Sequence, residues 1–127
     1  MSVQPRTRVV VVEDHAELRT MYVRFLDDAG DLDVIAVCGS AADGIEATAR
    51  LRPDVVLIDL SLPDMPGMDA ITLLHAGSPG VHVIVVSGAD AAVAARAAQA
   101  AGAAAYVDKI DLVDQLLPTI RHVMEGA

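Results

Sequence analysis

Cysteine, aromatic side chains and long apolar runs are all scarce in this sequence of 127 residues. The single cysteine, Cys38, excludes an internal disulfide bond and a multi-cysteine metal site, and we expect it to be buried at the end of a strand. Only 2% of the residues are aromatic, so the core must consist of valine, isoleucine, leucine and alanine. The N-terminal apolar run is too short for a signal peptide, and no stretch reaches the length of a transmembrane helix. We therefore expect a cytoplasmic chain without membrane contact.

Positively charged residues are also scarce. The chain has 9 lysine and arginine residues and 18 aspartate and glutamate residues, which gives a net charge of −9. The sequence therefore offers no basic patch that could displace counterions from nucleic acid phosphates or bind anionic lipids. What the chain does have is apolar residues, which make up 54% of it and suffice for the core of one domain.

Short apolar runs recur along the chain and do not alternate with polar residues, which is typical of parallel strands covered on both faces. These runs lie at 9–12, 34–37, 55–58, 81–86 and 103–107. Helical spacing, or residues that start and stop helices, fills the intervals between them. The predicted helices lie at about 15–29, 41–51, 68–76, 90–101 and 111–124.

The order of these elements, a strand and a helix repeated five times, indicates an α/β fold built as a three-layer sandwich. The common order for five doubly wound parallel strands is 2-1-3-4-5, as in flavodoxin. We adopt this flavodoxin-like order from the general rule and not from residues of this chain. It places the switch point, where ligands bind, between strands 1 and 3. The expected domain covers residues 7–124, with flexible termini at 1–6 and 125–127.

Three acids follow the two strands that flank this crevice. Glu13 and Asp14 come after strand 1, and Asp59 comes after strand 3. Crowded carboxylates raise one another's pKa unless a cation is bound, and oxygen ligands suit Mg²⁺ or Mn²⁺. Because Mg²⁺ commonly lies between carboxylates and a phosphate, the cluster points to phosphoryl chemistry, in which an aspartate can form an aspartyl phosphate. His15 is expected to be a solvated residue at the helix start, with a place lining the site as the alternative.

Two further strand ends supply polar partners, because Ser87 ends strand 4 and Lys109 follows strand 5. A hydroxyl group and an ammonium group can stabilise a transferred phosphoryl group. Taken alone, each residue also has an ordinary explanation. Acids are favoured before a helix, a serine can cap one, a lysine can lie on the surface, and Tyr106 can simply pack in the core. The convergence of all these residues on one edge of the sheet favours a functional site over the separate ordinary explanations.

Together, the segments VVVVEDH, VVLIDLSLPDMPGMD, VIVVSGA and GAAAYVDK resemble the receiver domain of two-component response regulators, the family that includes chemotaxis regulators. The resemblance covers about residues 7–124. It implies that Asp59 is the phosphoacceptor, and that Ser87 and Lys109 contact the phosphoryl group. It also implies that Tyr106 is a switch residue, which turns inward as the serine moves towards the phosphate.

The resemblance further implies a Mg²⁺ ion, or Mn²⁺, held by Glu13, Asp14, Asp59 and the backbone carbonyl of Ser61. The implied phosphoryl donor is a sensor histidine kinase or a histidine phosphotransfer protein. A domain of this kind turns over no separate substrate, although it assists its own phosphorylation and dephosphorylation. A homodimer through strand 5 and the last two helices is compatible with the family pattern.

One departure from the usual receiver pattern indicates a particular subgroup of the family. Many receivers follow the lysine with proline, whereas this chain has Ile110 in the segment KIDL. This loop and the EDH segment are similar to receivers fused to LuxR/NarL-type helix-turn-helix domains. Contact with DNA, and a role in transcription regulation, would then require a C-terminal output domain outside this sequence.

Two other functions stay open on the sequence alone. A pseudo-receiver would share the fold and act as a protein-binding module without phosphorylation, although the intact set of site residues argues against it. A haloacid-dehalogenase-like phosphohydrolase would place a D-x-D pair after strand 1 and add a cap domain, whereas strand 1 here ends in ED.

Overall fold

The computed structural model describes residues 5–88 and 91–126, with the backbone alone at 91 and 92. The expected flexible ends at residues 1–4 and 127 lie outside the described residues, as does the expected helix start at residue 90. Within the described part, a parallel five-stranded sheet lies between two layers of helices, as predicted. None of the described helices is long and apolar enough to cross a membrane.

Each strand is followed by a helix, and the elements begin and end within two residues of their predicted positions wherever these are described. They are β1 (Thr7–Val12), α1 (Ala16–Asp28), β2 (Leu32–Cys38), α2 (Ala41–Leu51), β3 (Val55–Ile58), α3 (Gly67–Gly77), β4 (His82–Ser87), α4 (Ala91–Ala101), β5 (Ala105–Asp108) and α5 (Leu112–Glu125). A 3₁₀ turn, Lys109–Asp111, connects β5 to α5.

The sheet order is β2-β1-β3-β4-β5 with parallel pairs, which confirms the predicted order and its switch point between β1 and β3. Because side chains alternate between the faces of a strand, the sheet divides the core into two clusters. Val10 and Val12 pack with α2, α3 and α4, whereas Val9 and Val11 pack with α1 and α5. From Val9 to Val12 both faces of β1 are therefore apolar, and the acidic side chains follow where the strand ends.

The strand β2 departs from the expectation that every strand is covered on both faces. Among the described strands it pairs with β1 alone, and Val37 within it is 40% exposed. An edge strand has a neighbour on one side only, so it is covered less than its apolar composition suggests. Cys38, at the end of β2, is buried as predicted, and burial raises the pKa of its thiol.

Two side chains close the N-terminus of α2. Ser40 is the predicted cap, and its Oγ accepts the N–H of Asp43 at 3.1 Å. Asp64, in the loop after β3, accepts the N–H groups of Ala41 and Ala42 at 3.0 Å each, a contact not predicted from the sequence. The N–H groups of Ala42 and Ala41 hold the pKa of Asp64 below its ordinary value. The loop that follows β3 is thereby tied to α2.

A cavity of about 220 Å³ lies between α4 and β5. Its lining is mostly alanine and consists of Ala95, Ala98, Gln99, Ala103, Ala104, Ala105 and Tyr106. Because alanine side chains bury little apolar area, α4 packs on the sheet through small contacts.

Gly44 determines how closely α2 approaches β1, since a methyl group added there would lie 2.5 Å from Val12 Cγ2. We expect Gly44→Ala to lower the free energy of unfolding by about 1–2 kcal/mol, because overpacking outweighs a gain of about 1 kcal/mol in helix propensity. Urea unfolding measures this change. Gly80→Ala is the control, because no described atom lies within 4 Å of its added methyl group. Equal losses in the two variants would contradict the close approach.

Candidate functional site

The carboxyl ends of β1 and β3 lie side by side, and each delivers an acid into the same crevice. The last residues of the two strands, Val12 and Ile58, are partners in the parallel register. The residues that follow them, Glu13 and Asp59, are almost completely buried, at 1% and 3% exposure. The Asp59 N–H donates to the Val12 carbonyl at 3.3 Å, which extends the pairing past the strand end. The register therefore determines where both carboxylates lie.

The strands β4 and β5 bring the other predicted residues towards the same edge. Ser87, the last residue of β4, is buried and pairs in register with Asp108, the last residue of β5. Lys109 begins the 3₁₀ turn, in which Asp108 Oδ1 accepts the N–H of Ile110 at 3.1 Å. Tyr106 is half-buried within β5 and lines the cavity beside α4. Ser87 and Lys109 therefore lie where the carboxyl ends of the strands meet, and Tyr106 lies farther back, within β5.

The Lys109 ammonium group bridges the two buried carboxylates. Its Nζ donates to Asp59 Oδ2 at 2.5 Å and lies 3.2 Å from Glu13 Oε1. The second contact is an ion pair without hydrogen-bond geometry, so Glu13 Oε1 has no hydrogen-bond partner among the described residues. Burial lowers the pKa of Lys109, but the hydrogen bond to Asp59, the close contact with Glu13 and the charges of both carboxylates outweigh it and hold that pKa above its ordinary value. The lysine stays charged and offsets one negative charge.

Asp59 is held at both carboxylate oxygens. Oδ2 accepts from Lys109, and Oδ1 accepts the backbone N–H of Ser61 at 2.8 Å. Burial raises the pKa of Asp59, whereas the hydrogen bonds from Lys109 and Ser61 lower it by more, so that it lies below its ordinary value. Asp59 is therefore an ionised carboxylate with a defined orientation at neutral pH.

A second group of side chains gathers at the end of β1. Glu13, Asp14 and His15 each offer one ligand atom, and these atoms all lie within 4.8 Å of one another. In the described ranges, Glu13 Oε1 and Asp14 Oδ1 are buried without a hydrogen-bond partner. Lys109 offsets one negative charge only, so buried negative charge remains here at a cost, and carboxylate oxygens suit a small dication. The residues present therefore fit the Mg²⁺ or Mn²⁺ ion suggested by the sequence.

Three residues at the start of α1 and along one of its faces lie at or beneath the site. The His15 side chain is 68% exposed, as expected, and its ring also lies beside the acids, which was the alternative expectation. The other two residues were not predicted there. Arg19 donates from Nη1 to the Glu13 carbonyl at 2.9 Å. Tyr22 is buried, and burial, followed by the charges of Glu13 and Asp59, raises its pKa. The i, i+4, i+7 spacing of these three residues is the sequence signal that could have identified them.

An ionised aspartate beside an ammonium group and a pair of acids suited to a dication has the parts needed to accept a phosphoryl group. The aspartate supplies the nucleophile, and the cations offset the charge of the transferred group. A buried hydroxyl at the end of the adjacent strand, that of Ser87, adds a hydrogen-bond donor to the same edge.

Proteins of one family match the chain over most of its length. The sequence model of the response regulator receiver domain matches residues 9–121. Response regulator GacA of Pseudomonas viridiflava is 35% identical over 80 residues, which cover 63% of this chain and 37% of that protein. Protein-glutamate methylesterase/protein-glutamine glutaminase 5 of Myxococcus xanthus is 36% identical over 89 residues, which cover 70% of this chain and 26% of that protein. The chain thus spans about a quarter to two fifths of the length of these curated relatives.

A solved structure shares the whole architecture. The two-component response regulator of the LuxR family from Aurantimonas sp. SI85-9A1 superposes with a TM-score of 0.90 at 25% identity, over 95% of this chain and 86% of that chain. The flavodoxin-like fold and the likeness to LuxR-type receivers, both predicted from the sequence, are thereby confirmed.

Lys109→Ala is expected to destabilise the chain, and to do so more strongly at neutral than at acidic pH. In the parent protein the pKa of Asp59 is lower than its ordinary value of about 3.9. This difference stabilises the fold at pH values above about 3.9, and the stabilisation is lost as the pH falls through the pKa of the folded state. Without Lys109, burial dominates and the pKa of Asp59 rises, so ionisation opposes folding as the pH increases. We expect the free energy of unfolding to fall by about 2 kcal/mol near neutral pH, which is less than for a fully buried pair. Urea unfolding between about pH 4 and 7 measures it.

The control is Arg121→Ala, which removes an exposed ion pair. Nε and Nη2 of Arg121 donate to the two carboxylate oxygens of Asp31 at 3.2 and 3.1 Å. Because exposed pairs contribute little to stability, this variant should remain close to the parent. A loss in Lys109→Ala that does not depend on pH would contradict the bridging role of the lysine.

Proposed function

The chain belongs to the response regulator receiver domain family of two-component signalling, and we propose that Asp59 is its phosphoacceptor. Phosphorylation on aspartate is typical of this family. The observation that carries the proposal is the nearly enclosed, ionised Asp59, whose two oxygens are held by Lys109 and Ser61. The proposed domain spans residues 7–124. It turns over no separate substrate and assists its own phosphorylation and dephosphorylation.

In the proposed reaction, one Asp59 oxygen attacks the phosphorus of a phosphohistidine on a sensor histidine kinase or a histidine phosphotransfer protein. The O–P bond forms as the N–P bond breaks, and the electron pair of the broken bond stays on the imidazole nitrogen. The Ser61 N–H and the Lys109 ammonium group orient the carboxylate for this attack. This converts the Asp59 carboxylate into an acyl phosphate. The carboxylate oxygens lose their negative charge, which leaves Lys109 able to pair with the phosphoryl group. The Ser87 hydroxyl donates to the same group.

The proposed cation is Mg²⁺ or Mn²⁺, held by Glu13, Asp14, Asp59 and the backbone carbonyl of Ser61. When bound, such an ion neutralises charge on the transferred phosphoryl group. Support comes from the two buried acid oxygens that lack a hydrogen-bond partner within the part of the chain that the structure describes. Arg19 keeps the turn that carries both acids against α1 through its hydrogen bond to the Glu13 carbonyl.

Phosphorylation is proposed to change the face formed by α4, β5 and α5. Tyr106 lines both the cavity beside α4 and a groove beside α5 that also includes Gln115 and Thr119. We propose that Ser87 moves towards the phosphoryl group and that the Tyr106 ring turns into the alanine-lined cavity, which shifts an existing equilibrium. This face would then form a homodimer contact. Contact with DNA would require an output domain, as the likeness to a LuxR-family regulator suggests.

Incubation with acetyl phosphate is expected to add one phosphoryl group to the chain, detected by intact mass. The adduct should require Mg²⁺, and it should be lost in Asp59→Asn because an amide oxygen is a poor nucleophile. Asp69→Asn, at an exposed acid of α3, is the matched control and should be phosphorylated like the parent.

A folded chain that binds Mg²⁺ but forms no adduct would favour the alternative function, a pseudo-receiver that binds proteins without phosphorylation. An adduct that persists in Asp59→Asn would assign the acceptor to another residue.

Tyr106 is expected to report the switch. The chain has two tyrosines and no tryptophan, so Tyr22→Phe leaves Tyr106 as the single fluorescent side chain. Beryllofluoride, a phosphoryl mimic, should change its emission when Mg²⁺ is present. The change should be smaller in Ala95→Leu, which fills the cavity from its α4 wall. Beryllofluoride binding that leaves the emission unchanged would contradict the proposed movement of the ring.

A further inference from the structure

His15, at the start of α1, turns its imidazole towards the acids of the proposed cation site. Its Nδ1 lies 3.2 Å from Asp14 Oδ1 and 3.4 Å from Glu13 Oε2. The residue occupies the N-cap position of α1, yet its side chain makes no capping hydrogen bond within the described chain. Serine, threonine, aspartate or asparagine normally occupies this position and caps the helix. The ring instead turns away from the helix end, and its Nδ1 makes a hydrogen-bond contact with Glu13 Oε2.

The distances around His15 Nδ1 match those between neighbouring ligands of one small metal ion. In an octahedral site with bonds of about 2.1 Å, adjacent ligand atoms lie about 3 Å apart. The nitrogen and the two carboxylate oxygens are separated by 3.2 and 3.4 Å, which is close to this spacing. All three side chains can thus offer an atom to the same ion.

A buried oxygen supplies a second and independent observation. Glu13 is 1% exposed, and its Oε1 lacks a hydrogen-bond partner within residues 5–88 and 91–126, with the Lys109 ammonium group 3.2 Å away as an ion-pair partner. Asp14 Oδ1 likewise lacks a hydrogen-bond partner there although His15 Nδ1 is near, so the imidazole does not satisfy it by a hydrogen bond. One ammonium group, that of Lys109, is shared between Glu13 and Asp59, so a positive ion among these atoms would compensate the remaining negative charge, whose burial is costly.

We propose that His15 is a nitrogen ligand of the cation site and determines its metal preference. The inference rests on the proposed function, because it concerns the same Glu13 and Asp14 carboxylates. Mg²⁺ prefers oxygen ligands, whereas Mn²⁺ and, more strongly, Co²⁺ and Ni²⁺ accept imidazole nitrogen. With His15 present, the site binds these transition-metal ions more tightly than an all-oxygen site, while its affinity for Mg²⁺ is little affected.

Pulsed electron paramagnetic resonance of Mn²⁺ bound to the whole chain tests this ligand directly. A coordinated imidazole produces nitrogen modulation of the Mn²⁺ echo, which we expect in the parent and not in His15→Ala or His15→Asn. Asparagine keeps a polar group near the position of Nδ1 but has no imidazole. His122→Ala is the matched control, because it removes an exposed histidine near the end of α5 and should leave the modulation unchanged.

Calorimetric titration gives the second readout, in which the metal ions are compared. The Ni²⁺ affinity should fall by roughly tenfold or more in both His15 variants, as for loss of a metal-site residue. The Mg²⁺ affinity should stay within about twofold of the parent, because that ion gains little from a nitrogen ligand.

Mn²⁺ that binds to the parent without nitrogen modulation would overturn the inference and leave the cation site standing. Equal weakening of Mg²⁺ and Ni²⁺ in both His15 variants would also overturn it, because the histidine would then act by orienting the acids. Mn²⁺ binding that is unaffected by Asp14→Asn would overturn both the inference and the proposed cation site.

Discussion

The ammonium group of Lys109 lies between two carboxylates that the sheet buries almost completely. Glu13 and Asp59 follow paired residues of adjacent strands, so their charges would repel each other in a region with little water. Lys109 offsets one of these charges, and an acid oxygen beside it remains without a hydrogen-bond partner among the described groups. The strand register places the two acids together, the sheet buries them, and β5 brings the lysine that offsets their charge. These three features therefore depend on one another.

Contacts outside the crevice hold this arrangement in place. Arg19 connects α1 to the end of β1, and Asp64 connects the loop after β3 to the start of α2. His75, which has no metal-ligand spacing in the sequence, has Nε2 at 2.7 Å from the carbonyl of Gly102 and so connects the ends of α3 and α4. The Asp64 contacts join segments that follow different strands, β3 and β2, and the Arg19 contact holds the turn after β1. These two segments beside the site are therefore each tied to a neighbouring element.

The strands, the helices and the acid pocket could be predicted because their signals are local. Apolar runs and helix spacing act within a few residues, and the general rule for parallel sheets brings the strand ends together. Asp64 could not be predicted, because it caps a helix whose first residue lies 23 positions earlier in the chain. His15 is solvated as expected, and its contact with the acids is the alternative that the sequence left open, because an exposed ring can also contact buried acids. The exposure of Val37 depends on the edge position of its strand, which local composition does not reveal.

The alanine-lined cavity between α4 and β5 makes the volume of the molecule depend on the position of α4. Alanine methyl groups line most of a partly open space of about 220 Å³ that closer packing would reduce. A movement of this helix or of the Tyr106 ring into that space would reduce it while the covalent structure stays the same. Hydrostatic pressure favours states of smaller volume. A conformational equilibrium at this face would therefore respond to compression as well as to chemistry at the far end of the strand.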